Sequence, residues 1–240
     1  MIWNILFLLF CSFVLAQVAT LVTTLYLHRA STHKSVKFNP VIEFFFQLIL
    51  WVTTGINRKQ WVGVHLCHHA HTDEEGDPHS PLLLGLREVW LKNVIYYKEA
   101  AKKPEVLWYA RNLKLSWMER NIFNFSLPVV GSLGPIIGIV AACYLFGIWQ
   151  GILVSGLHFF FYIYLNATVN SYCHVIGYKN FPESHAFNSI WAALSTCGEG
   201  FHNNHHHKPG NPKLSDKWFE FDIGWFVVQF LRLFGLARVC

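Results

Sequence analysis

The chain has 240 residues, 53% of them hydrophobic and only 14% charged, where an ordinary soluble domain carries roughly a quarter of charged residues. That is a membrane composition and argues against a soluble domain. The formal charge of +5 matters less than where the 19 Lys and Arg fall, because cytoplasmic loops of membrane proteins are enriched in them.

From Met1 to Leu27 there is no charged side chain, enough for one spanning helix, since about 20 apolar residues cross the hydrocarbon. A signal peptide is disfavoured: there is no basic start, the apolar run is too long, and HRASTH (His28 to His33) follows directly. The next apolar run, Val41 to Ile56, contains Glu43 and reaches about 24 Å, short of the ~30 Å core. HLCHH (His65, His68, His69) and DPH (Asp77, Pro78, His79) come next, then a polar, aromatic-rich stretch from Leu82 to Asn121 expected to be extramembrane and largely helical.

Between Arg120 and Lys179 lie 58 residues with no Asp, Glu, Lys or Arg. They accommodate two spans, Leu127 to Phe146 and Ile148 to Val169, with a tight turn at Gly147. NSYCH (Asn170, His174) ends the second, and GEGFHNNHHHKPG brings His202, His205, His206 and His207. In the tail, WFVVQFLRLFGL is too short and interrupted to span and reads as an interfacial helix. Six cysteines without a CxxC pair are read as free thiols of a reducing compartment, Cys67 and Cys173 as packing residues despite their histidine neighbours.

All 19 basic residues fall on the histidine-bearing side and none in the Gly147 turn, which makes that side cytoplasmic. The fold expected is all-α: an integral membrane protein of three to four transmembrane or membrane-embedded helices, with residues 1–240 forming one domain.

The histidines fall in phase. At about 100° per residue, positions i, i+3 and i+4 share a face, so His65/His68/His69 and His202/His205/His206 each project three rings one way, and Asn170 and His174 pair likewise. His28 and His33, five apart, are expected to straddle a helix end and approach a centre from different sides. His207 points about 140° from His202 and is left out, as are His71, His158 and His185. Imidazole is a preferred ligand of iron, zinc and copper, and ionisable groups beside a bilayer core are costly unless paired or coordinating. Nine candidates, His28, His33, His65, His68, His69, His174, His202, His205 and His206, exceed what one ion uses, so two ions are expected. The thiolate-free set suits redox iron at least as well as zinc. Asp77, His79 and Glu199 are candidates to hydrogen-bond a ligand's other ring nitrogen, with turn capping the alternative for Asp77 and His79.

In order, HRASTH, WVGVHLCHHAHTDEEGDPHS, NSYCHVIGY and GEGFHNNHH resemble the membrane fatty-acid desaturases, specifically the stearoyl-CoA (delta-9) type in a short, bacterial-like form. The likeness runs from about Leu15 to Leu236. It implies a non-haem di-iron centre held by the nine histidines, Asn170 holding a metal-bound water, dioxygen as co-substrate, and a cis double bond made in a long-chain fatty acyl substrate. The acyl carrier, coenzyme A, acyl carrier protein or membrane lipid, stays open. It also implies a separate electron donor, of ferredoxin, rubredoxin or cytochrome b5 type with its reductase; no HPGG motif of a fused cytochrome b5 occurs. An apolar tunnel between the helices is expected, with Phe and Tyr of FFFYIYL as candidate lining and plain core packing the favoured reading for any one of them, in a bacterial cytoplasmic membrane or, in a eukaryote, the endoplasmic reticulum. No nucleic-acid partner is expected. A hydroxylase or ketolase using the same metals, and a metal-binding or transport protein, are the alternatives. Animal members place two spanning helices before the first block where this chain has one. For all blocks to share a side, Val41 to Ile56 is therefore expected not to cross but to pack half-buried under the site.

Overall fold

The computed structural model describes residues 2–124, 126–127 and 131–240. Helix α1 (Ile2–Val22) runs without a break into a π-helical stretch, Thr23–Thr32, giving a continuous Ile2–Thr32 helix. After strand β1 (Val36–Phe38), α2 (Pro40–Thr54) starts from Asn39, whose side chain accepts from the Val41 amide at 2.9 Å, with Pro40 in the first turn; Asn before Pro is a strong helix start. Gly55 ends it in the left-handed region, φ +66°, and the chain turns by 87° into α3 (Arg58–Ala70). This bend swings HLCHH out of the α2 direction and across the end of α1.

Short helices α4 (Pro81–Leu84), α5 (Leu86–Ala100) and α6 (Pro104–Trp108) fill the extramembrane stretch. Strands β2 (Ser126–Leu127) and β3 (Gly131–Ser132) pair antiparallel and lead into α7 (Leu133–Phe146), and after Gly147 comes α8 (Ile148–Ser171), extended by a 3-10 turn to His174. Then follow α9 (Ile190–Ser195), α10 (His202–His207), α11 (Ile223–Leu233) and strand β4 (Ala237–Val239), which pairs antiparallel with β1.

Among the described residues, two helices, Ile2–Thr32 and Ile148–His174, have the length and apolarity to cross a membrane, and α2 with α3 would make a third only if the bent pair counted as one span. The expected span Leu127–Phe146 is helical only from Leu133, where the Ser132 hydroxyl caps the first turn; positions 128–130 of it lie outside the described residues, as does Met1 of the first span. At 14 residues, α7 is about 21 Å long, so of the three crossings expected only two have the length unaided.

Small residues bring the apolar helices together, as they must where lipid offers no hydrophobic drive between helices. Ser12, Ala16 and Ala19 of α1 are fully buried, the two alanines packing on Tyr162 of α8. On α7 the Gly134/Gly138 pair lies against α2 so closely that a Cβ on Gly134 would fall 1.9 Å from the Trp51 carbonyl oxygen. At the end of this bundle, α11 docks Val228 on Leu25, Val36 and Phe38, fastening the tail beneath the π-helical turn. The described helices thus deliver His28, His65, His174 and His202 to one end of the molecule.

Candidate metal centre

His28 lies inside the π-helical stretch and His33 is its C-cap residue, so the pair straddles a helix end as expected; the i→i+5 bonding changes only the phase, bringing the two rings together where an approach from different sides was expected. The His33 amide donates to the His28 carbonyl at 3.1 Å, and the two rings stand 4.8 Å apart on the same face. α3 carries the second block; its N-cap Asn57 accepts from the Gln60 amide at 3.1 Å.

The third block sits on a helix of six residues, too short to persist alone, and the two asparagines between its histidines lock it. The Asn203 carboxamide accepts from the Asn180 and Phe181 amides and donates to the Phe181 and Ala186 carbonyls. Asn204 donates to the Leu214 carbonyl and to Glu220, and accepts from Asn180 and Asn188. HNNHH is therefore two faces of one turn, rings toward the site and amides toward the supporting loops.

Two groups of four side chains result, His28/His33/His65/His205 and His68/His174/His202/His206, the candidate ligand atoms in each lying within 4.8 Å of one another. His69 stands between them: its Nε2 is 3.1 Å from His65 Nε2 and 2.8 Å from His205 Nε2, while its ring stacks on His206 at 4.5 Å. All nine candidates converge. The histidines left out do not join them: His71 meets the Tyr109 hydroxyl at 3.0 Å, His158 contacts the Thr53 carbonyl at 2.8 Å, and His207 pairs with Glu183 and stacks on Phe181 at 3.8 Å. His185 lines an outer cleft. All six cysteines are free thiols, and among the described residues Cys67 and Cys173 enter neither group.

Behind the rings stand carboxylates. Asp77 faces His68 Nδ1 with both oxygens at 3.0 Å and also accepts from the backbone amides of His79 and Asp73, so it orients a ring and caps a turn at once. His79, buried, stacks on His68 at 4.7 Å. Glu199 lies 2.7 Å from His28 Nδ1. Asp73 takes the same part at 2.8 Å from His174 Nδ1, a role the sequence reading missed; the available signal was a carboxylate four residues after the block, beside DPH. Burial alone would raise Asp77, Asp73 and Glu199, but their histidine contacts hold all three below the usual carboxylate range. Burial, then the neighbouring imidazoles, push His202, His205 and His206 well below the usual range, so these rings are neutral, the form that binds metal.

With all four rings neutral, the donor set fits cations. In a neutral imidazole each nitrogen offers either a proton or a lone pair. His68 and His174 give their Nδ1 protons to Asp77 and Asp73, so both present a lone pair at Nε2. The Nε2 contacts run His68–His206 3.3 Å, His206–His202 3.1 Å and His202–His174 3.0 Å. A row of four nitrogens that begins and ends on a lone pair cannot alternate donor and acceptor, so one contact is always like against like. A cation among them removes the conflict. The buried Nδ1 atoms of His202 and His205 have no hydrogen-bond partner among the described residues, so none of these ties either ring's proton to one nitrogen and Nε2 is free to present its lone pair.

Two cavities lie within the bundle, and none of the nine histidines is among their lining residues. One, about 360 Å³, touches Asn170, Trp61, Asn93, Tyr97, Phe159 and Tyr162. The other, about 400 Å³ and almost wholly apolar, lies between α1, α7 and α8 and shares Phe159. Asn170 donates its amide to Asn93 at 3.2 Å. Tyr162 of FFFYIYL packs in the core on Ala16 and Ala19, as expected of a single residue of that stretch, and it and Phe159 also line cavity wall.

A family model described as fatty acid desaturase matches residues 3–214. The chain is 28% identical over 232 residues to the delta-9 desaturase-like 2 protein of Arabidopsis thaliana, covering 93% of this chain and 73% of that protein. It is 29% identical over 217 residues to the sn-1 stearoyl-lipid 9-desaturase of Synechocystis sp., covering 90% and 65%. It is 30% identical over 234 residues to the acyl-CoA 5-desaturase AL21 of Anemone leveillei, covering 90% and 65%.

Proposed function

The chain belongs to the fatty acid desaturase family, and from that premise we propose that it uses two iron ions and dioxygen to place a cis double bond, at the delta-9 position, in a long-chain acyl substrate. It is a membrane oxidoreductase acting on fatty acyl chains; the metal-transport alternative falls with that assignment. The observation that carries the metal reading is the convergence of nine histidines in two groups of four with His69 between them.

His28, His33, His65 and His205 would hold one ion and His68, His174, His202 and His206 the other, with His69 at their junction and Asn170 holding a water beside them. The bound ions would supply the oxidising power that breaking an alkyl C–H bond demands and that no side chain possesses. The remaining work belongs to the chain. The cavity along Trp61 and Phe159 holds the acyl chain beside the metals, and the apolar space beyond Phe159 receives its methyl end and excludes water. Asp73, Asp77 and Glu199 fix ring orientation and keep the ligating nitrogens unprotonated.

The electrons come from a separate ferredoxin, rubredoxin or cytochrome b5 type of donor. Residues 1–240 act as one domain with the histidines on the cytoplasmic side, which all 19 basic residues favour. Helix α2 then begins and ends on that side; its length of 15 residues and the 87° bend after it support this. Delta-9 is supported by the names of relatives such as the Synechocystis sn-1 stearoyl-lipid 9-desaturase, with the acyl-CoA 5-desaturase of Anemone leveillei differing in position, and the lipid and acyl-CoA names among them leave the carrier open.

The test is expression in a bacterial host lacking desaturases, with a competent reductase supplied, followed by fatty-acid profiling and double-bond location. New monoenes unsaturated at carbon 9 are expected. An unchanged profile from folded, iron-loaded protein would overturn the reading, and hydroxylated products would replace it with the hydroxylase alternative.

A further inference from the structure

Arg29, next to the first histidine, is 1% exposed, and a guanidinium is tolerated so deep only when its charge and donors are matched. They are. Nε donates to the Pro212 carbonyl at 2.8 Å, Nη2 donates to both Asp222 oxygens at 2.9 and 3.0 Å, and Nη1 donates to the Thr24 hydroxyl and lies 3.6 Å from Glu199. Thr24 in turn donates to Glu199, whose carboxylate faces His28 Nδ1. A buried polar line therefore runs Asp222, Arg29, Glu199, His28.

Asp222 is fixed from behind by the amides of Leu214 at 2.7 Å and Trp225 at 2.9 Å, the second as the N-cap of α11. The backbone is shaped around the pair. A Cβ on Gly198 would fall 2.3 Å from Asp222 Oδ1, and one on Gly224 2.7 Å from Arg29 Nη1. Asp222 and Gly224 also lie beyond residue 214, where the match to the family model ends.

We infer that Asp222 and Arg29 are positioning residues for the His28/His33/His65/His205 group, so that the 212–225 segment is part of the metal centre and not an appended tail. Two carboxylates face one guanidinium, which leaves one negative charge directed at His28. Without the Asp222 charge, Arg29 is balanced by Glu199 alone, draws that carboxylate away from His28 Nδ1 and frees the ring to turn. The second group is insulated from this, since two of its rings, His174 and His68, are held by Asp73 and Asp77. The inference rests on the metal reading above.

The experiment is Co(II) titration of purified full-length protein in detergent against a competing chelator, following d–d absorption and bound equivalents. Wild type is expected to take two equivalents. Asp222→Asn should weaken one of them by about 10–100-fold, the usual range for loss of such a support, and leave the other unchanged; Asp77→Asn should weaken the opposite one. Arg29→Lys, which keeps a charge but loses the fork, should reproduce Asp222→Asn and carries the test if that variant does not fold. Glu119→Gln is the control: it breaks the partly buried Arg58–Glu119 pair, which makes no hydrogen bond to a histidine, and both equivalents should hold. Equal weakening of both equivalents by Asp222→Asn or Arg29→Lys, in step with a lowered melting temperature, would reduce the pair to a structural one and overturn the inference. So would two unaltered equivalents in a folded variant. A folded wild type that binds no Co(II) overturns the metal reading, and the inference with it.

Discussion

Asp77 and Asp73 each hold the outer nitrogen of a ring in the same histidine group, yet replacing them by asparagine should not be equivalent. Asp77 uses both oxygens fully: each faces His68 Nδ1, Oδ1 also accepts from the His79 amide at 3.0 Å, and Oδ2 from the Asp73 amide at 2.9 Å. In Asp77→Asn the new NH2 must confront one of those backbone donors. That leaves a buried N–H unsatisfied, about 1–3 kcal/mol, and replaces a charge-assisted bond by a neutral one, about 1 kcal/mol more. The sum, about 2–4 kcal/mol, corresponds to about 30- to 700-fold in metal affinity at 1.4 kcal/mol per decade. Asp73 accepts only from His174 Nδ1 and the Ser80 hydroxyl. The Ser80 hydroxyl also caps α4, accepting from the Leu82 and Leu83 amides at 3.2 and 3.3 Å, but unlike a backbone donor it can turn to share an acceptor site with the new NH2, and the backbone of Asp73 at φ +60° suits asparagine. Asp73→Asn should therefore lose chiefly the charge assistance, about 1–1.5 kcal/mol or about 5- to 12-fold. Chelator-competition titration of the two folded variants measures both constants. Losses equal within about twofold, or Asp73→Asn the weaker binder, would show that satisfaction of the backbone amides is not what sets the difference.

His202→Ala, His205→Ala and His206→Ala should each abolish desaturation and lower bound metal, whereas His207→Ala, which loses only Glu183 and the Phe181 stack, should retain most of both; equal damage at His207 would place the third block in the wrong register. Gly134→Ala puts a methyl into the Trp51 backbone and should cost about 1–3 kcal/mol as overpacking does, seen as a lowered melting temperature in detergent. Gly156, with nothing within 4 Å of its would-be Cβ, should accept alanine with no loss, and equal melting temperatures for the two variants would contradict the close α2–α7 contact. For pH, His202, His205 and His206 sit well below the usual range, so protons should begin to displace metal only far below the ordinary imidazole value of about 6.5. Asp73 and Asp77 act in the same direction: with lowered values, their contribution is complete above the ordinary carboxylate pKa of about 3.9 and is lost as pH falls through the lowered ones. Metal content after equilibration should be flat across the acidic side of neutrality, and a loss centred near the ordinary imidazole value would refute the assignment.

Residues whose roles depend on local phase were legible in the sequence. His65/His68/His69 and His202/His205/His206 are regular-helix faces, the exclusion of His207 and His71 follows from the same angles, and that of His158 from its place in the middle of an apolar span. The failures have separate physical causes. His28 and His33 looked divergent because ordinary helical phase was applied to a turn that closes by i→i+5 bonds, and nothing in TTLYLHRAST announces a π-helix. Arg29 and Asp222 stand 193 residues apart, and β1 and β4 pair the two ends of the chain; such contacts are decided by the packing of α11 on the π-helical turn. Asp73 was overlooked for a different reason: TDEE reads as a solvated acidic run, and only the fold reveals that its first carboxylate is turned inward to His174.

Charge balance explains why the carboxylates stand behind the rings and not among the ligands. Neutral imidazoles bring no charge, so two divalent ions held by nine of them would place four positive charges in a site where His28, His68, His174, His202 and His205 are each at most 2% exposed. Uncompensated, such charge is prohibitive away from water. Asp73, Asp77 and Glu199 return three negative charges at one imidazole's remove, while Asp222 is spent against Arg29. Carboxylates bound directly would neutralise the ions equally well but would fill positions that dioxygen chemistry needs open. Set back by one ring, they supply the same compensating charge, fix each tautomer, and leave coordination to nitrogen alone. The same geometry accounts for the position of the blocks at helix ends: the rings point inward from the last turns, and their carboxylates come from loops just outside the apolar segments, where an ionised side chain can be kept.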